Sequence, residues 1–148
     1  MVKKLLATAV AVVAFIALVP ASPAMAAGRA RITKVSFDSP GPDRHTKHSL
    51  NAEWVRVKNT THHRISMTGW RLHDRGRKHT FHFPRFHLTA GAHVKIHTGP
   101  GRNTKHNLHW DLHNYVWNNT GDKAYLNNKH AHRVDTCKWG SKGRVKRC

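Results

Sequence analysis

The chain has 148 residues, with 26 lysines and arginines against 7 carboxylates, 15 histidines and 2 cysteines, for a net charge of +19 with histidine neutral. That length suits one domain with a real core. Two cysteines exclude a multi-disulfide scaffold or a four-cysteine zinc site, seven carboxylates leave little for paired acid–base chemistry or a calcium cage, and the apolar content is too high for a disordered basic tail.

In chain order, the first element is an address. Lys3 and Lys4 precede an uncharged apolar run from Leu5 to Val19, Pro20 breaks it, and Ala24-Met25-Ala26 supplies a small-x-small cleavage pattern. Residues 1–26 therefore read as a secretory signal peptide. The expected product is a secreted, extracellular protein with no transmembrane segment after cleavage. The remaining chain begins at Ala27 and carries a net +17, since Lys3 and Lys4 leave with the peptide.

From there the pattern is strands and turns. Ile32, Val35 and Phe37 mark a first strand, stopped by Pro40-Gly41-Pro42-Asp43. Glu53 to Lys58 alternates, with Val55 and Val57 on one face and Trp54, Arg56 and Lys58 on the other. Met67 to His73 sets Trp70 and Leu72 against Arg71 and His73, and Asp74-Arg75-Gly76 turns the chain. Phe81 and Phe83, then Phe86 and Leu88, continue the period of two. After Ala90-Gly91, Val94 and Ile96 oppose His93, Lys95 and His97. Gly99 to Asn114 reads as a long polar loop. Thr120-Gly121-Asp122 precedes Ala124 and Leu126, and Val134 lies in a last strand ending near Cys137. No window beyond the signal peptide shows a 3.6-residue period. Short strands separated by Gly and Pro turns predict an all-β sandwich. Its expected core is Val55, Val57, Trp70, Leu72, Phe81, Phe83, Leu88, Val94, Ile96, Trp117, Ala124 and Leu126. Trp54 falls on a polar face and reads as an edge-strand or stacking tryptophan.

Several of these segments, in order, resemble the lamin tail domain family. Glu53-Trp54-Val55-Arg56-Val57-Lys58-Asn59 resembles its second-strand motif, and Met67-Thr68-Gly69-Trp70-Arg71-Leu72 its Leu-Ser-Gly-Trp-x-Leu strand. Phe81-His82-Phe83-Pro84 and Leu88-Thr89-Ala90-Gly91 resemble its Phe-Pro and Leu-x-Pro-Gly segments; His97-Thr98-Gly99 and the run from Trp117 to Leu126 follow. The resemblance spans about Arg31 to Lys138. It implies an immunoglobulin-like β-sandwich used for binding, with no catalytic residue to carry over and no cofactor. The expected organisation is residues 1–26 signal peptide, 27–138 sandwich and 139–148 a basic tail closed by a disulfide. No coiled coil accompanies it, so filament formation is not implied.

Charge is the main functional signal. A field of +17 on one small domain draws nucleic acid or anionic cell-envelope polymer. The candidate polyanion-binding residues are Arg56, Lys58, Arg71, Arg75, Arg77, Lys78, Lys95, Arg102, Lys105, Lys142, Arg144, Lys146 and Arg147. No base-reading motif is visible. The alternatives are an envelope protein–protein interaction or structural module with incidental charge, and histidine-mediated metal binding. For the latter, His62, His63, His130 and His132 could contribute ligands, though no metal site is assigned. Near pH 5.5, exposed histidines gain charge. Asp111-Leu112-His113 is the one local acid–histidine grouping, and no nucleophile pairs with it, so an enzyme is not expected. Cys137 and Cys148 are the expected disulfide in a monomer.

Overall fold

The computed structural model describes residues 29–148; the expected signal peptide lies outside the described residues. Their elements, in order, are β1 (Ala30–Ser36), α1 (Lys47–Ala52), β2 (Trp54–Asn59), β3 (Ile65–Ser66), β4 (Arg71–His73), β5 (Thr80–His82), β6 (His87–Leu88), β7 (His93–His97), β8 (Asn107–His109), β9 (Gly121–Asn127), β10 (Arg133–Gly140) and β11 (Val145–Arg147). Strands β11-β1-β2-β7-β8 form one sheet and β10-β9-β4-β5 a second; β3 and β6 pair as a short ribbon. The fold is all-β, consistent with the expected immunoglobulin-like sandwich. No helix among the described residues is long and apolar enough to cross a membrane.

The core follows from the alternation. Each of the twelve residues expected inside is buried. Side chains of both sheets meet in one cluster, through which a run of aromatic rings passes. Phe37 stacks on Trp139 at 5.3 Å, Trp139 meets Trp117 at 5.7 Å, Trp117 meets Trp110 at 6.0 Å, and Trp110 meets Phe81 at 5.7 Å. These separations lie in the range where aromatic pairs add to area burial. The Trp139 indole also donates to the Asn118 carbonyl at 3.0 Å.

Four details correct the sequence reading. First, residues 99–114 are not all loop: Leu108 is buried, and β8 pairs in parallel with β7 through Lys95–Asn107, Ile96–Leu108 and His97–His109. One apolar residue among polar neighbours gave no period to read. Second, α1 exists. It is a single capped segment in which Thr46 Oγ1 accepts from the Ser49 amide at 3.1 Å, and six residues are too few to display a helical period. Third, Trp54 is not on an edge strand, because β2 is the middle strand of the five-stranded sheet. Fourth, the chain beyond residue 138 is more than a tail closed by a disulfide. Trp139 is buried within β10, and β11 pairs antiparallel with β1 through Lys34–Arg147, Val35–Lys146 and Ser36–Val145. The Cys137–Cys148 disulfide joins β10 of one sheet to the residue following β11 of the other, with Cα atoms 5.8 Å apart.

A candidate anion-binding face

The five-stranded sheet has one side in the core and one in water. On β2, Val55 and Val57 point inward, so Trp54, Arg56 and Lys58 point outward. On β7, Val94 and Ile96 point inward, leaving His93, Lys95 and His97 outside. Register then decides which of these meet. Arg56 lies opposite Lys95 across β2–β7 and opposite Lys34 across β1–β2, and Lys34 lies opposite Arg147 across β1–β11. Residues in register share a face. Arg147, Lys34, Arg56 and Lys95 therefore make one row of cations across four adjacent strands, about 5 Å apart from strand to strand. A second row holds Arg31, Lys58 and His93; a third holds Trp54, His97 and His109.

Lys34 reaches this face through a β-bulge. The β1–β2 register shifts between Ile32 and Lys34, so Thr33 is the extra residue. Strict alternation from Ile32 would have turned Lys34 inward; the bulge turns it out and returns Val35 to the core. Thr33 Oγ1 accepts from Arg56 Nε at 2.9 Å, which holds the guanidinium across the row. The Lys95 ammonium sits over the Trp54 ring at 4.3 Å and that of Lys34 at 5.6 Å.

The five strands of this sheet contain no Asp or Glu. Six of the seven carboxylates are engaged elsewhere, and the seventh, Asp111, is exposed just beyond β8. Asp135 accepts from the Ile32 amide at 2.8 Å at the sandwich seam, and Asp74 accepts from His79 at 2.8 Å in the β4–β5 turn. Asp122 accepts from the Lys123 amide at 2.7 Å, Asp38 lies 3.7 Å from Arg144 Nε, and Asp43 accepts from Ser39 at 3.4 Å. Glu53 is buried immediately before β2, where its Oε2 accepts from Thr98 Oγ1 at 3.0 Å and the Val116 amide at 3.1 Å. Burial pushes its pKa up to about 8 despite those donors. This carboxyl ties the end of α1, the end of β7 and the strand-free segment before β9, and so fixes where β2 begins. On the face itself, His93 has its pKa lowered by burial first and then by the cations Arg56, Lys95 and Lys58 and by His106. His109 is lowered by burial, partly opposed by the Gly99 carbonyl.

The thirteen cations singled out by sequence do not form one site. Arg56, Lys58, Lys95 and Arg147 share the outer face. Lys146 is in register with inward Val35 and so falls on the other side of β11. Arg71 is on β4 in the opposite sheet, half-buried, and Arg75, Arg77 and Lys78 are exposed in the following turn. Arg102 and Lys105 are exposed between β7 and β8, and Lys142 and Arg144 between β10 and β11. Sequence reasoning missed Arg31 and Lys34, the first because it precedes the alternating run and the second because of the bulge. His62 is exposed after β2, whereas His63, His130 and His132 line one groove. Among the described residues no group of three or more His, Cys, Asp or Glu is placed to hold a metal ion.

A family model described as Lamin Tail Domain matches residues 23–141. The chain belongs to that family. The match covers the sandwich through Gly140, so β10 lies inside the lamin tail domain and β11 is the strand that follows it. No curated protein matches the chain. A lamin tail domain is a binding or structural module, and the outer face described above is the part of this one whose chemistry is most distinctive.

Proposed function

We propose that this protein is an exported, non-catalytic lamin tail domain whose five-stranded face holds acidic polymers, nucleic acid or anionic cell-envelope polymer, by charge rather than by sequence. The observation that carries the reading is the row Arg147–Lys34–Arg56–Lys95, backed by the second row and with no carboxylate on these strands. Like charges directly opposite each other on a sheet are destabilising. A polyanion laid across the strands relieves that repulsion at every step. Trp54, on the same face, offers an apolar plane against which a base or sugar can rest once Lys95 turns to the polymer. Export is supported by the leader pattern of residues 1–26 and by the Cys137–Cys148 bridge, which suits an oxidising compartment. The absence of catalysis is supported by the engagement of six of the seven carboxylates in hydrogen bonds or an ion pair that hold turns, seams and core, while the seventh, Asp111, is exposed.

The test is a binding titration of random-sequence duplex DNA, a teichoic-type polymer and anionic vesicles against the protein and its Arg56→Gln/Lys58→Gln/Lys95→Gln variant. For duplex DNA, log K falls with log salt by about 0.9 for each phosphate neutralised. The triple variant is expected to weaken binding and to flatten that slope by roughly 3. Scrambling the DNA sequence is expected to change little. Equal affinity and equal slope for the protein and the variant would move the site off this face. No binding to any polyanion at physiological salt would leave the envelope protein-interaction reading in its place.

A further inference from the structure

At another part of the molecule, the β3 segment and the β9–β10 turn enclose a groove of about 760 Å³. Its lining includes four permanent cations, Arg29, Arg64, Lys129 and Arg133, and three imidazoles, His63, His130 and His132, with no carboxylate. Trp70 closes part of the wall. The size falls in the range of small-ligand sites rather than of a flat polymer track.

The histidines are held in place by their backbones. Asn128 Oδ1 accepts from the amides of both His130 and His132 at 3.0 Å, and the Asn128 amide donates to the His132 carbonyl at 2.9 Å. The preceding Asn127 donates to the Ala131 carbonyl at 3.0 Å. The turn is thus closed on itself, with the two imidazole rings 6.2 Å apart. Across the groove, fully buried Asn59 donates from Nδ2 to the His63 carbonyl at 2.8 Å and to the Leu88 carbonyl at 3.0 Å.

We infer that this groove is a binding site for a phosphate-bearing small ligand, separate from the polymer-binding face. Its charge selects the sign of the ligand. Its three histidines are not placed to hold a metal ion together, and the four neighbouring cations repel a divalent metal and attract a multiply charged oxyanion. Arginine and lysine supply charge-assisted hydrogen bonds to phosphate oxygens, and each imidazole becomes a further donor and a further positive charge when protonated. Every titratable group lining the groove is cationic or becomes so in acid, so no group opposes the trend. A phosphate itself gains a proton at about pH 6, so the clean signature is linkage at the protein: a bound oxyanion favours the protonated histidines and raises the pH at which these rings titrate. The apolar surface of Trp70, Ile65 and Val134 leaves room for an organic portion beside the phosphate.

The experiment uses inorganic pyrophosphate as probe, with the full protein and its histidine-ring NMR signals followed at constant ionic strength. Saturable shifts at His63, His130 and His132, with the other histidines little affected, are expected, and an upward move of the titration midpoints of these three rings at saturating pyrophosphate. Lys129→Gln/Arg133→Gln is expected to weaken pyrophosphate binding about tenfold or more, on the scale of a lost charge-assisted hydrogen bond. Arg56→Gln/Lys58→Gln/Lys95→Gln is expected to leave it within about twofold, because those side chains do not line the groove. Shifts spread evenly over all histidines without saturation would reduce the groove to part of a general ion atmosphere and overturn the site. So would zinc ions perturbing the three rings at low micromolar concentration while pyrophosphate does not. Both readouts on the unaltered protein stand even if a variant fails to fold.

Discussion

Glu53 offers a sharp test of how the sandwich places its charged face. Its carboxyl is 1% exposed, and burial lifts its pKa from 4.5 to about 8. The folded state therefore binds a proton that the unfolded chain has released over that interval. Stability from this group is fully present below about pH 4.5 and is lost as pH rises toward 8. At 1.36 kcal/mol for each pH unit, the loss is on the order of 3 kcal/mol by pH 7 and approaches about 5 kcal/mol above pH 8. Glu53→Gln keeps a neutral side chain with a carbonyl oxygen that can accept from Thr98 and Val116, and it cannot ionise. The measurement is denaturant unfolding of both proteins from pH 4 to 9, taken as the difference so that the histidines cancel. The difference is expected to be flat below pH 4.5 and then to grow in favour of the glutamine variant. Parallel stability curves would refute the reasoning, because they would mean that the Thr98 and Val116 donors hold the buried carboxylate ionised without penalty. Glu53→Ala, which orphans both donors, is expected to cost about 1–3 kcal/mol for each below pH 4.5, a cost progressively offset as pH rises because the variant also lacks the carboxyl whose ionisation destabilises the parent protein.

Trp139→Ala is expected to destabilise by about 3–5 kcal/mol, as a large-to-small core change; a loss near zero in the same unfolding assay would return residue 139 to a solvated tail. Replacing Cys137 and Cys148 by Ser is expected to cost about 3 kcal/mol from the chain-entropy estimate, or on the order of 10 °C in calorimetric melting, with retention of β-sheet by circular dichroism. Thiol counting on unreduced protein is expected to find no free thiol; two free thiols would contradict the bridge. The His93 ring is expected to titrate below the usual histidine range, because burial and its cationic neighbours disfavour the imidazolium, and to move upward when duplex DNA covers the face. An NMR titration that leaves its midpoint unchanged by DNA would place the polymer elsewhere.

Much of the fold was legible because the strands obey a period of two. The inward set Val55, Val57, Val94 and Ile96 could be read directly, and so could the outward positions of Arg56, Lys58 and Lys95. What alternation cannot supply is register. Nothing in the sequence says that Arg56 faces Lys95 rather than His93 or His97, and the cation row exists only because of that pairing. Lys34 was hidden for a second reason: a bulge inserts one residue and reverses the faces beyond it, so a correct period predicts the wrong side. The short strands β8 and β11 were missed because three residues cannot establish a period. Their pairing is a tertiary fact, secured for β11 by the bond from Cys148 to Cys137. The groove was split in sequence between His63 and His130–His132, almost seventy residues apart by number, and only the packing of the β9–β10 turn near β3 brings them together.

The arrangement of charge separates an incidental basic surface from a placed one. A chain with 26 cations and 7 carboxylates must expose positive charge, but it need not align four cations in register on adjacent strands. Each opposed like pair costs a few tenths of a kcal/mol to about 1 kcal/mol, and the row contains three such contacts. One carboxylate at Lys34 or Lys95 would have relieved two of them or one. Six of the seven carboxylates instead sit in turns, at the seam or in the core, each with a hydrogen-bond or ion-pair partner, and Asp111 is exposed beyond the end of β8. The Lys95 ammonium is partly compensated by the Trp54 ring, an interaction weak enough to yield to a phosphate. The free face therefore carries a repulsion that an anion, on the proposed function, would release. A ligand that binds only the folded state stabilises it by RT ln(1 + [L]/Kd), and here the same contacts also remove a repulsion already present in the free protein. On the proposed function, stability and binding would draw on one set of side chains, so the triple variant that weakens polymer binding should at the same time stabilise the free protein.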